Sequence, residues 1–454
     1  MIRRRAWFPL LATAYFLSVP GAVAQDADGL RPSADDIAGE EEPQVPQAIA
    51  APPTYLTVNP PLESESPRLR RRAPDADPYA PLGVDLGGLT AFPALRLGVT
   101  ATDNVAQTHS DRDSDLGFNV RPSLRVESDW VRHSFQLEGT GEFIFYKDQS
   151  DQDTKTADIR SRLKLDVRRT TDLIFEGGYA LTQESASNID VPDAATSDRT
   201  DQAADISSAL THRMGRVEST LRGSALWRFY DDVDLSGGGT EDNADRDYVE
   251  PRIAFRTGYE VSPAFRPFVE AAYDPRFHRK SVDRNGLRRD SDGYQFSAGA
   301  AFDPSPIWSG ELAVTYLIRN YDDSALDDND AVGLNGSVLW QPTEITRVRF
   351  TAITDLNETS LADSSGSREY TAKFDIAHDL RDNLTAIVGA SADYEDFQGI
   401  NADELILSAN AGLIWRLNRS LALTADYDFT WSDSSEPSSD YNEHRVTAGI
   451  ELRR

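Results

Sequence analysis

From Ala91 to the end of the chain, apolar and polar residues trade places at every second position, in one short segment after another. Leu95, Leu97, Val99 and Ala101 form a first apolar set, and Leu116, Phe118, Val120, Leu124 and Val126 a second. Phe135, Leu137, Phe143 and Phe145 follow on one register, with Gln136, Glu138, Thr140 and Glu142 on the other. The alternation returns with Ile159, Leu163, Leu165 and Val167, with Val217, Leu221, Ala225, Trp227 and Phe229, and with Leu312, Val314, Tyr316 and Ile318. It closes with Leu421 to Trp431 and Val446 to Leu452. A period of two marks strands with unlike faces, and the 3.6-residue period of amphipathic helices is largely missing. The segments number about eighteen, an even count of the kind bacterial single-chain barrels use.

The links between segments sort into two kinds. Tight ones fall at Ser128 to Arg132, Arg169 to Asp172, His212 to Gly215, Ser262 to Ala264, Asp303 to Pro306, Gln341 to Glu344, Asp379 to Asn383 and Asn418 to Arg419. Long, polar and mostly acidic ones lie between them, as at Asn188 to Gln202, Asp231 to Asp247, Lys280 to Asp292, Asp322 to Asp330 and Ser432 to Asp440. Strict alternation of short and long predicts an all-β fold, a transmembrane up-and-down antiparallel barrel with tight turns on one rim and long loops on the other. A soluble Greek-key sandwich has no reason to sort its links in this way. Trp130, Trp308, Trp340 and Trp415 beside short turns, and Tyr146, Trp227, Tyr230, Tyr394, Phe429 and Trp431 near long links, are read as two interfacial aromatic belts. Pro122, Pro251, Pro267 and Pro275 fall inside expected strands, where a missing donor demands a bulge or a strand end.

The amino terminus adds a compartment. Arg3 to Arg5, an apolar run from Ala6 to Val19 and the small residues Ala22-Val23-Ala24 predict a secretory signal over 1–24. Residues 25–90 are rich in Pro, Ala, Ser and acid, and read as a disordered periplasmic tether carrying one basic cluster, Arg68 to Arg72, ahead of a barrel over 91–454. The chain has no cysteine, so stability is expected from packing and backbone pairing alone. A net charge of -29 argues against nucleic acid as a partner.

If apolar positions face lipid, the alternate positions line a lumen. Arg160, Arg162, Lys164 and Arg168 on the fourth strand, Arg216, Arg222 and Arg228 on the seventh, and Glu138 and Glu142 on the third are the pore-lining candidates. Glu127, Glu311, Asp375, Asp393, Asp426 and Asp428 occupy the same face elsewhere. One long link is basic instead of acidic: Arg279, Lys280, Arg288 and Arg289, with His278 and Arg284, form a candidate anion-contacting constriction between the ninth and tenth strands. Catalysis is not expected, because the six histidines show no paired spacing and no nucleophile elbow or phosphate loop occurs. Asp232, Asp234, Ser236 and Gly237 open like a calcium loop, but the twelfth position is Asn243, where a bidentate Glu belongs. No cofactor or metal is therefore expected.

Asp77-Pro78-Tyr79, Pro81-Leu82-Gly83, Phe92-Pro93 and Leu97-Gly98-Val99 leading to Asp103-Asn104-Val105 resemble the opening of the putative beta-barrel porin-2 family of Gram-negative outer membranes. Pro267 to Glu270, Tyr316 to Asp323 and Leu417 to Leu421 are similar to further recurring stretches of that family. The resemblance implies a large barrel in the cell outer membrane, working as a porin-like channel or in exopolysaccharide export, and brings no catalytic residues. It implies as partners outer-membrane lipid and lipopolysaccharide, the barrel assembly machinery and polysaccharide export components. The competing expectation is a non-conducting structural barrel that displays acidic loops.

Overall fold

In the computed structural model the described residues are 77–454, apart from 111, 187, 193, 194, 306, 360, 362 and 436–438. The expected signal, the Arg68 to Arg72 cluster and most of the expected tether lie outside them. The first strands are β1 (Leu89–Thr102), β2 (Asp115–Ser128), β3 (His133–Tyr146), β4 (Thr154–Arg168), β5 (Thr171–Glu184) and β6 (Arg199–Met214). Next come β7 (Val217–Tyr230), β8 (Tyr248–Tyr259), β9 (Phe265–Tyr273), β10 (Ser291–Ser305), β11 (Trp308–Tyr321) and β12 (Asn329–Thr343). The last are β13 (Thr346–Asn357), β14 (Gly366–Arg381), β15 (Leu384–Gln398), β16 (Ala402–Asn418), β17 (Leu421–Ser434) and β18 (Tyr441–Arg453). Each pairs antiparallel with the next, and β1 pairs with β18 from Ala94↔Arg453 to Thr102↔Arg445, so the sheet closes. Closure leaves no free edge and lets the backbone satisfy its own hydrogen bonds in lipid.

Parity decides which face is which. Val99, Phe118, Phe145, Ile159, Phe175, Ile206, Leu221, Phe255, Val269, Val314, Val332, Val388 and Val446 point outward and are exposed, as a lipid-facing surface requires. Phe143 and Phe145 take that side, and Glu138 and Glu142 the lumen. Gly141 on the lipid register is explained by crowding, because a Cβ there would meet the Phe143 ring at 3.0 Å and Pro122 at 3.4 Å. No such crowding surrounds Gly139, whose nearest neighbour would lie at 3.7 Å.

The prolines sit at ladder breaks. The β2–β3 pairing skips from Val120↔Phe143 to Ser123↔Thr140 around Pro122. Between Ile253↔Tyr273 and the resumed pairing at Val249↔Phe277, Pro251 and Pro275 occupy the same interruption. Pro267 lies just past the last β8–β9 pair, Gly258↔Phe268.

Three readings of the sequence change. The β15–β16 link is only 399–401, so short and long links do not alternate strictly. Tyr146 and Tyr230 take the lumen parity of β3 and β7 instead of joining an outer belt, and Tyr146 is buried against Val105 and Ile144. Trp130, Trp308, Trp340 and Trp415 do form an exposed outer belt at the short-turn rim. Within the expected tether, Val84–Asp85 pairs with Thr90–Ala91, and Pro78 and Tyr79 accept hydrogen bonds from Arg419 (3.2 Å) and Arg453 (3.1 Å) at that rim.

Candidate functional site

The lumen has two tiers. Near the short turns part of the wall is open: Gln136, Glu138 and Arg349 are exposed, and the Arg160 and Arg162 side chains keep 43% and 28% exposure, whereas Ile387, Ile414 and Ala422 form a buried cluster on the lumen face of β15 to β17. Arg160, Arg162 and Lys164 stand across the ladder from Glu138, Gln136 and Ser134. Arg160 Nε lies 3.3 Å from Asp158 on its own strand and Arg162 Nη1 3.2 Å from Glu176 on the next, so this wall is a half-exposed fabric of local pairs. Arg168 stands at a ladder shift beside the turn and is exposed. Arg216 departs from its expected place: it lies in the exposed β6–β7 turn and not on the lumen wall, because β7 begins only at Val217. Glu142 is buried, accepting from Arg121 Nε at 2.8 Å and from Asn119 at 2.9 Å.

Near the long loops the lumen is filled. Arg199, Glu250, Arg319, Glu404 and Glu443 are each 3% exposed or less. Arg222, midway, is also buried, and Arg228 stands above it on the same face. We call this tier the throat.

The throat has two unlike faces. One carries the arginines Arg199, Arg246, Arg252, Arg276 and Arg319 on and beside β6, β8 and β11, each paired with an acid, among them Asp201, Asp190, Asp274 and Glu250. Here the guanidinium of Arg246 lies over the Tyr230 ring, 4.3 Å from its centroid. Arg276 donates to Glu250 (2.5 Å), to Glu358 (2.7 Å) and to the Leu356 carbonyl (3.0 Å). The other face is a row of carboxylates at one height. Asp355 stands opposite Glu369, Glu369 opposite Glu395, and Glu395 opposite Glu404, across β13 to β16. Like charges directly opposite one another oppose folding, so a row of four is a feature that strand pairing alone does not favour.

Between the faces runs the β5–β6 link. Asn188 donates to Glu404 Oε2 at 3.2 Å, and Asp190 accepts from Arg246 and, at 2.7 Å, from the Thr359 hydroxyl. Its carbonyl takes Arg199 Nη1 at 3.2 Å. Ile189 and Val191 are buried beside it. The link therefore joins β6–β8, β13 and β16, strands that are not neighbours in the wall. Burial pushes the Asp198 carboxyl up to about 6, against a hydrogen bond from the Ala186 amide and the attraction of Arg445. Burial also opposes ionised Glu358, but Arg276, His278 and Arg289 outweigh it and hold that carboxyl at about 2.

The basic β9–β10 link, expected to narrow the pore, is mostly spent on its neighbours. Arg279 lies 3.1 Å from Asp247, Lys280 2.8 Å from Asp242, and Arg284 3.0 Å from Asp245, all on the β7–β8 link. Arg288 reaches the Asp322 carbonyl at 3.3 Å. Arg289 and the His278 side chain, of the expected group, are buried and turned toward the throat, Arg289 donating to Asp283 at 2.8 Å and to the Ser364 carbonyl at 3.2 Å, and His278 Nε2 lying 3.8 Å from Glu358. Asn188, Asp190, Arg246, Arg276 and Glu358 were not singled out from the sequence. The apolar pair Ile189 and Val191, isolated in a polar link, was the available sign.

The wall is thus a closed ring of eighteen antiparallel strands around a charged lumen with one link folded into it. Residues 77–454 fit the model described as Putative beta-barrel porin 2. The chain belongs to that family. It is thus a porin-like outer-membrane β-barrel. No curated protein matches this chain. Among solved structures it is similar to the outer membrane protein OpdK of Pseudomonas aeruginosa, with TM-score 0.39, 11% identity, and coverage of 81% of this chain and 99% of that one. It is also similar to OccAB4 of Acinetobacter baumannii, with TM-score 0.38, 12% identity and coverage of 80% and 98%. The siderophore receptor PirA of Pseudomonas aeruginosa gives TM-score 0.38, 10% identity and 80% of each chain.

Proposed function

We propose that this porin is a passive channel for small dipolar solutes, entered from a hydrated periplasmic vestibule and limited by the throat. One observation carries the reading: an arginine face stands opposite a row of four lumen carboxylates, with the β5–β6 link between. Arginines on one side of the gap and carboxyl groups on the other give it a transverse field, which favours a solute carrying both signs over a neutral one of equal size. Export of exopolysaccharide rests on family resemblance alone, and a polymer would have to displace the β5–β6 link. The dense packing of that link favours a second reading, a barrel that stays closed and displays acidic loops to lipopolysaccharide. Nothing in either reading calls for catalysis.

Swelling of proteoliposomes in zwitterions, sugars and monovalent anions of matched size tests the proposal. Zwitterions should enter at least threefold faster than sugars. Equal rates for all three contradict the field, and no entry of any solute favours the closed barrel.

A further inference from the structure

Several interruptions of the ladder hold a proline, and others are one-residue shifts at Val167, Leu380 and Leu417 beside short turns. One is neither. β12 and β13 pair only from Thr343↔Thr346 up to Gly336↔Ala352. Above that point β12 stays paired with β11 as far as Arg319↔Asn329, and β13 stays paired with β14 as far as Asn357↔Ser367. The outer halves of β12 and β13 have come apart, while each keeps its other neighbour.

The geometry shows where β13 went. Ala352, Thr354 and Leu356 share the outward register of exposed Phe350, yet all three are buried. A Cβ on Gly333 of β12 would collide with the Thr354 side chain, so β12 lies over β13 there. β12 and β14 then meet across it: Asn329 Nδ2 donates to the Ser367 carbonyl at 3.2 Å, and Arg368 lies 3.3 Å from Asp330. Gly336, at the fork itself, has φ +143°, and a Cβ on it would strike the Glu311 carbonyl. Only glycine serves as the branching residue at this position.

Backbone groups facing lipid must be satisfied, and here side chains stand in for the missing ladder. Thr354 N donates to Asn335 Oδ1 at 2.8 Å, and the Thr354 hydroxyl to the Leu334 carbonyl at 3.3 Å. Such lacing differs from a ladder, because a few side-chain rotations release it without unpairing a strand. Outside the seam stand Val332 and Leu334, exposed to lipid; behind it, on the lumen face, stands Asp355 at the end of the carboxylate row.

We propose that the outer β12–β13 seam is a lateral portal between the throat and the outer leaflet, for an amphiphile with a cationic or hydroxylated head and an apolar tail. The tail meets Val332 and Leu334, and the head meets Asp355 and the carboxylates beyond it once the Asn335–Thr354 lacing opens. The proposal rests on the channel reading only in requiring a lumen reachable from the vestibule.

The chain has no cysteine, so an engineered pair is read without background. Asn335→Cys with Thr354→Cys places a disulfide across the seam, and Thr100→Cys with Thr447→Cys, which are ladder partners, is the control. The probe is a fluorescent single-chain amphiphile with a quaternary ammonium head, added to proteoliposomes and followed by its transfer out of the outer leaflet, with ion conductance measured in parallel. Oxidation of the seam pair should abolish transfer and spare conductance, reduction should restore transfer, and the control pair should change neither. Transfer that continues through the oxidised seam, or no transfer by the wild-type barrel, overturns the portal. Loss of conductance in the wild type counts against the channel instead. Hydrogen exchange on the unmodified protein is independent of any variant's folding. Asn329 to Asn335 should exchange at least tenfold faster than Tyr441 to Thr447, and equal protection overturns the portal.

Discussion

The two tiers of the lumen are made of the same residue types and behave oppositely. In the vestibule, Arg160 and Arg162 pair with acids on their own or the adjacent strand and remain wet. In the throat, Arg276 and Arg319 reach acids on distant segments and are almost fully buried; Arg319 Nη2 lies 3.1 Å from Glu250, three strands away. Exposed pairs contribute little and are screened by salt, whereas a buried charge that loses its partner is costly. Charge in the vestibule is therefore cheap to remove, and charge in the throat holds structure.

The sharpest way to break this contrast is to truncate one arginine in each tier. Arg276→Ala takes the arginine partner from Glu358, leaves Glu250 with Arg319, and should cost about 3 to 5 kcal/mol in thermal unfolding of the reconstituted barrel. Arg160→Ala should cost under about 1 kcal/mol, with salt removing most of the difference. Comparable losses would erase the distinction between the tiers.

Gly336→Ala comes next. Positive φ and the approach of the Glu311 carbonyl should destabilise the variant by about 1 to 3 kcal/mol. Gly223→Ala on β7, whose Cβ would meet nothing within 4 Å, should be near neutral. Asp190→Ala frees Arg246 and Thr359 from the β5–β6 link; protease cleavage within 188–197 should rise several-fold while the wall melts unchanged.

The smallest effect is a pH dependence of the link. The Asp198 carboxyl sits at about 6 in the folded chain, above the unfolded value of about 3.9. Ionising it therefore opposes the seated link: its stabilisation is fully present below about pH 4 and is lost as pH rises through about 6. Cleavage within the link should increase from pH 4 to pH 7, and Asp198→Asn should flatten that rise. A link that loosens as pH falls would reverse the sign and contradict the assignment.

Strand number, facing and the sorting of most links were legible in the sequence because they are local: a period of two and a turn every dozen residues are visible without any partner. The pore-facing parity of Arg160, Arg162, Lys164, Arg222, Arg228, Glu138 and Glu142 follows from the same rule. Arg216 escaped it because a shift of one residue at a turn moves a side chain off the wall. The inward link was not legible, since the positive β9–β10 link looked free until its partners Asp242, Asp245 and Asp247 were placed beside it. The β12–β13 seam left no mark either, because Ala352, Thr354 and Leu356 keep the alternation of a lipid-facing strand after the ladder has ended.

Single-channel conductance in planar bilayers, with residues 188–197 intact and then replaced by a short Gly-Ser turn, tests the throat most directly. The intact barrel should show small, unstable openings, and the shortened one a steady conductance at least threefold larger with the same melting of the wall. Equal conductance in the two would place the restriction elsewhere and contradict the account.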